Sequence, residues 1–253
     1  MDQATDVRAR TAPGWWFDLV LLAAFVALTY ALARGHLLGL DRHLADWADQ
    51  HRPAALYWPA RVLNYLGQGG QVLMPVAILL AVILAVRRRS VRPVLVFAAA
   101  FVLTYVTIGP LKLWLQRAAP HFTGPDRAEL FNPAAVGASG VSYPSGHVAN
   151  AVVWYGVIAL LLGALVAVPP AVRVAVRVVP PIIVFCTTTY LAFHWLTDSI
   201  AGLFLGVILT RAMSRIRWDS LWLPALPYGC DRPAGISPAP EGDPVPAPGP
   251  PSP

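Results

Sequence analysis

The chain reads as an all-α membrane protein, a bundle of six transmembrane helices followed by a Pro-rich tail. Three observations predict this. Of its 253 residues 57% are hydrophobic and only 13% charged, whereas a soluble domain carries about 25% charged residues. Mean hydropathy is +0.57. Apolar runs long enough to cross a bilayer alternate with short, Arg-bearing connections. The length suits one compact bundle rather than several domains. A net charge of +6 raises nucleic acid as a partner, but the Lys and Arg residues are scattered through loops, with no basic face interleaved with stacking aromatics. Nucleic acid is therefore not expected. The two cysteines, Cys186 and Cys230, supply neither a disulfide framework nor a Cys-based zinc site.

Residues 1–14 are polar and are read as a mobile cytoplasmic N-terminus. Trp15-Trp16 opens the first span, to about Ala33, with paired indoles suited to an interfacial belt. Ala31-Leu32-Ala33 resembles a signal-peptide cleavage site, but the run before it is long for that purpose. Residues 35–70 mix Leu, Trp and Tyr with His43, Asp46, Asp49 and Arg52. The helical spacing of Leu40, Leu44 and Trp47 predicts a short amphipathic helix lying in the interface. Further spans are expected at about 71–86, 93–112, from His147 to before Pro169-Pro170, 178–195 and 200–213. Residues 218–253, rich in Pro, Ala and Gly with little to bury, are read as a disordered tail. The membrane domain is thus 15–217.

Charge sets the expected topology. With both termini inside, the inner loops collect Arg8, Arg10, the triplet Arg87-Arg88-Arg89, Arg92, Arg173, Arg177, Arg211, Arg215 and Arg217. Fewer cations fall outside, and the positive-inside rule favours this arrangement in the cell membrane. The same assignment puts Lys112, the 114–147 loop and His194 together on the outer face.

Those residues carry the chemistry. Tyr143-Pro144-Ser145-Gly146-His147 is a polar interruption before a long apolar run, and polar groups at the edge of a span are costly without a task. Backbone N–H groups at a helix start have no intrahelical partner and favour an anion. Gly146 allows close approach, Ser145 adds a hydroxyl, and His147 is an acid or base near neutral pH. The plainer alternative is a proline-initiated helix capped by Ser145. His194 and Asp198 lie one helical turn apart, so the carboxylate can hold one ring nitrogen and leave the other as a nucleophile. A buried polar pair fastening two helices is the alternative there, and simple snorkelling is the alternative for Lys112. A transporter would place its ionisable residues near the midplane, whereas these cluster at one interface. A metal site from His147, His194 and Asp198 lacks a second carboxylate or a Cys.

Lys112 to Pro120, Tyr-Pro-Ser-Gly-His at 143–147 and Thr187 to Asp198 resemble, in order and spacing, the type 2 phosphatidic acid phosphatases, membrane relatives of vanadium haloperoxidases and glucose-6-phosphatase. The resemblance covers roughly residues 60 to 215. It implies a metal-free lipid phosphatase acting on lipid or isoprenoid (pyro)phosphates through a phosphohistidine. His194 would be the nucleophile, Asp198 its orienting carboxylate and His147 the general acid. Lys112, Ser145 and Gly146 would bind phosphate. Two positions depart from the pattern. Ala119 stands where the first motif has Arg, and Thr187-Thr188 replaces Ser-Arg, so both phosphate-clamping guanidiniums are missing. Arg117, with Arg127 and His121 behind it, is the expected substitute cation. The alternatives are a phospho-group transferase between lipids and a degenerate relative that binds lipid phosphate without turnover.

Overall fold

The computed structural model describes residues 14–237. The polar N-terminus up to residue 13 and the tail from residue 238 lie outside the described residues. Six helices have the length and hydropathy of membrane spans: α1 (Trp15–Ala33), α4 (Met74–Arg88, led in by a π-helical turn over Gly69–Leu73), α5 (Arg92–Leu115), α6 (Gly146–Leu165), α7 (Pro170–Tyr190) and α8 (Leu196–Ser214). Two shorter helices, α2 (Leu38–Gln50) and α3 (Ala54–Leu63), join α1 to α4. The multi-pass, all-helical architecture is the expected one. Two spans differ in their boundaries, the first of them also ending at Tyr190 rather than 195. The helix expected from residue 178 starts at Pro170, because Pro fits the first turn of a helix and Arg173 and Arg177 depress hydropathy without breaking it. The last span starts at Leu196, so Asp198 lies inside its first turn.

α6 is the hub. Its span is 56% buried, against 11% for α1 at the periphery. Trp154 and Leu161 are fully enclosed. Its closest neighbour is α8, and glycines permit the approach. A Cβ on Gly202 would sit 2.5 Å from the Ser145 carbonyl oxygen, and one on Gly206 would sit 2.9 Å from Val152 Cβ. Small residues at such a crossing let two backbones meet in a bilayer. The consequence is positional: the N-terminal ends of α6 and α8, which carry His147 and Asp198, are held together. α1 docks on α8 through Asp18, whose carboxylate pairs with Arg211 at 2.5 Å and with Arg215. A second apolar cluster, with Phe25, Leu32, Leu115, Tyr143 and Trp195, supports the loops at the other end.

Between α1 and α4, α2 is the amphipathic helix expected there, and its buried stripe is Leu38, Asp41, Ala45 and Ala48. Leu40 and Trp47 are about half exposed and turn outward. In a bilayer setting apolar side chains tolerate the outside, so the polar Asp41 faces inward, where it has partners.

The tail begins later than residue 218. Residues 218–237 fold over the arginine-rich end, with Trp218, Ala234 and Ile236 buried. The Arg92 guanidinium donates to the carbonyls of Trp218 at 2.5 Å, Asp231 at 2.9 Å and Arg232 at 3.2 Å. The Asp219 carboxylate accepts from the backbone N–H of Ala234, Ile236 and Ser237 at 2.6–2.7 Å. Two charged side chains thus satisfy backbone groups of a segment whose own helix is limited to two short 3-10 turns, Trp218–Ser220 and Pro227–Gly229.

Candidate active site

The site lies at the end of the bundle where α1–α4, α5–α6 and α7–α8 are connected. The α7–α8 turn is tight. The N–H groups of Phe193 and His194 both reach the Thr188 carbonyl, at 3.0 and 3.3 Å, and Ala192 takes a positive φ of 56°. This places the His194 ring under the start of α6. Nε2 of His194 lies 3.2 Å from Nδ1 of His147, with the ring centroids 5.3 Å apart. Two imidazoles remote in sequence therefore converge on one point. Gln68 Nε2 stands 3.4 Å from His147 Nε2.

Behind His194 the polar groups form a closed network. The Ser142 hydroxyl donates to Asp198 Oδ2 at 2.6 Å and lies 3.2 Å from His194 Nδ1. Asp198 Oδ2 is itself 3.5 Å from that nitrogen and accepts from the Trp195 N–H at 3.1 Å. With Nδ1 protonated toward Ser142 and Asp198, Nε2 keeps its lone pair for the cavity. Burial holds the His194 imidazole below its ordinary pKa, against the upward pull of Asp198. The ring is therefore neutral at neutral pH.

Arg117 corrects the sequence reading most. Its side chain is wholly enclosed. It donates to Asp198 Oδ1 and Asp41 Oδ2 at 2.6 Å each, to Thr197 Oγ1 at 2.7 Å and to the Ala128 carbonyl at 2.7 Å. Its guanidinium also lies over the Trp195 ring. Thr197 closes the network onto Asp41 from both its N–H and its hydroxyl. Arg117 is thus spent on two buried carboxylates and does not reach the cavity. Arg127 is also turned away, donating to the Pro120 carbonyl at 2.8 Å and lying 3.6 Å from Asp46.

In front of the histidines opens a cavity of about 700 Å³. Lys112, His121, Gly146, His147, Asn150 and His194 line it, with Ala119, Ser139 and Ser142. Lys112 donates to the carbonyls of Val141 and, at 3.5 Å, Ser142, which hold its ammonium at the wall. Ser145 does not line the cavity. It is buried as the cap of α6, its hydroxyl accepting from the Val148 N–H at 3.3 Å, while its own N–H donates to the Asp198 carbonyl at 2.9 Å. The structure therefore brings together His147, His194, Asp198, Lys112 and Gly146, and gives Ser145 and Arg117 supporting places. Of the two vacated clamp positions, Ala119 faces the cavity, whereas Thr188 is fully buried with its hydroxyl unpartnered among the described residues. Among the described lining residues Lys112 is the one lysine or arginine. No group of three or more His, Cys, Asp or Glu side chains is placed to hold a metal among the described residues.

Sequence reasoning missed Ser142 and Asp41. Ser142 directly precedes the Tyr-Pro-Ser-Gly-His stretch, which was a usable signal. Asp41 offered only its place in the stripe with Leu38 and Ala45, three and four residues away on one helical face.

The sequence profile of the PAP2 superfamily matches residues 93–222. Among solved structures, the chain is similar to the first transmembrane PAP2 type phosphatidylglycerolphosphate phosphatase from Bacillus subtilis. The TM-score is 0.65 at 23% identity, over 78% of this chain and 94% of that one. A search of curated protein sequences finds no match.

Proposed function

Because the chain belongs to the PAP2 superfamily, we propose that it is a membrane phosphatase that removes phosphate from a lipid or isoprenoid (pyro)phosphate through a phosphohistidine on His194. The carrying observation is the 3.2 Å approach of His147 Nδ1 to His194 Nε2, with Ser142 and Asp198 fixing the far side of the nucleophile. In the structure each ring is the other's partner. A phosphate group displaces that contact and sits between them, held by Lys112 and the N–H groups at the start of α6.

In the first step the Nε2 lone pair of His194 forms the P–N bond while the P–O bond to the lipid alcohol breaks. His147, protonated beside the phosphate anion, gives its proton to the departing oxygen. In the second step His147 takes a proton from water, whose oxygen attacks phosphorus. The P–N bond breaks and inorganic phosphate leaves. Asp198 steadies the positive charge that His194 carries as the phosphohistidine forms and decays. The positive-inside pattern of Arg87 to Arg92 and Arg211 to Arg217 supports an outward-facing site in the cell membrane with cytoplasmic termini.

Phosphate release from a panel of lipid and prenyl phosphates, by detergent-purified protein with chelator present, tests this. Wild type should release phosphate and His194→Ala should not. Label moving to a second lipid instead of to water would make the protein a transferase. No turnover of any kind would make it a lipid-phosphate-binding relative.

A further inference from the structure

At the end of the bundle opposite the histidines, we infer a second site: a binding site for an anionic phospholipid, with its headgroup on Arg173 and Arg177 and its chain along α7. The inference requires only that the chain spans a membrane.

Three cavities meet there, and Arg177 lines all of them. The first, about 380 Å³, is of mixed lining, and its polar border is Arg173, Arg177, Ser214, Trp218 and Ser237. Its outer wall is the 218–237 segment. Arg173 and Arg177 are one helical turn apart on α7 and therefore share a face. Neither makes an ion pair among the described residues, and Arg173 has only a 3.4 Å bond to the Val168 carbonyl. Two adjacent guanidiniums repel one another, so an anion between them removes a cost as well as forming charged hydrogen bonds. Trp218, buried in the same wall, has an indole N–H without a partner among the described residues.

The third cavity, about 350 Å³, is an apolar groove running from Arg177 toward the middle of the span. Val178, Pro181, Ile182, Phe185 and Leu203 line it. Val178 and Ile182 are 45% and 56% exposed, so the groove opens sideways, toward hydrocarbon. A free phosphate ion would use the guanidiniums and leave the groove without a role. A neutral lipid would fill the groove and leave two unpaired cations. An anionic phospholipid satisfies both, in the leaflet where these arginines lie.

The test is native mass spectrometry of the full chain in detergent, titrated with phosphatidylglycerol or phosphatidylcholine of matched chains. Wild type should retain phosphatidylglycerol about tenfold more tightly, the scale of one charged hydrogen bond pair. The double variant Arg173→Gln, Arg177→Gln should lose that preference. Ile182→Trp, which fills the groove and keeps both charges, should weaken phosphatidylglycerol and serves if the double variant fails to fold. Equal retention of the two lipids by wild type overturns the proposal. So does an undiminished preference in the double variant, or undiminished phosphatidylglycerol retention in Ile182→Trp. Inorganic phosphate competing as well as the lipid would reveal a bare anion site, and that also overturns it.

Discussion

The two sides of His194 differ in kind. Behind the ring, Ser142, Asp198, Arg117, Thr197 and Asp41 form a buried network in which the Arg117 guanidinium meets four acceptors and both carboxylates have short partners. In front of it, a cavity of about 700 Å³ has Lys112 as its one lysine or arginine among the described lining residues, with Ala119 where a clamp would stand. The contrast separates two requirements of phosphoryl transfer. Orienting the nucleophile needs a fixed, dry, fully satisfied scaffold. Holding the phosphate needs charge delivered into an open space. On the proposed mechanism, this chain meets the first requirement in full and the second in reduced form.

The largest effect should come from breaking the scaffold. Arg117→Ala leaves Asp41 and Asp198 buried without their shared cation, a change that costs about 3–5 kcal/mol in comparable buried pairs. Thermal unfolding in detergent should show a sharply lowered midpoint; an unchanged midpoint would mean the network is not a structural unit. Next comes Asp198→Asn, which preserves shape but frees the His194 tautomer. Phosphate release should fall by about 10³–10⁴-fold with modest change in stability. A loss smaller than tenfold would remove Asp198 from its orienting role.

The front of the ring should respond in the opposite direction. Ala119→Arg places a guanidinium in the cavity, and kcat/KM should rise by about tenfold, the lower end of a charged hydrogen bond's contribution. Thr188→Arg should not rescue, because that side chain is fully enclosed and a larger one must disrupt its surroundings. Equal rescue by both would mean that Thr188 reaches the phosphate after all. Gly202→Ala, whose new Cβ meets the Ser145 carbonyl oxygen at 2.5 Å, should cost about 1–3 kcal/mol by forcing α6 and α8 apart, read as a lower unfolding midpoint.

The smallest effect is on pH dependence. Burial lowers the His194 pKa beneath its ordinary 6.5, and in the proposed mechanism the neutral ring is the nucleophile. The acid limb of kcat/KM due to this group should therefore lie below pH 6.5, with activity retained as pH falls to that value and lost only beyond it. A His194-dependent limb above 6.5 would show that Asp198 outweighs burial.

Much of this was legible before any coordinates. Six apolar runs and the Arg-rich loops carried the spans, because length and hydropathy suffice to define a membrane helix. The histidine pair was legible because polar residues stand out where hydrocarbon is the surrounding solvent. Arg117 was not. Its position two residues before Ala119 fits a pocket-facing cation, and only the fold shows Asp41, far away in the chain, claiming it. The inward face of α2 was not legible for a related reason: apolar spacing reveals that a helix has two faces, but not which one meets lipid. The 218–237 segment escaped detection because its order comes from Arg92 and Asp219 binding backbone groups, which composition does not register.

The central claim, that His194 takes up phosphate covalently, is best tested by trapping. His147→Ala should be mixed with an aryl phosphate, whose leaving group needs no proton, quenched under alkaline conditions and examined by peptide mass spectrometry. The account expects one phosphoryl group on the peptide containing His194, accumulating because the second step lacks its base. Phosphate release without such an adduct, or an adduct on another residue, would contradict it.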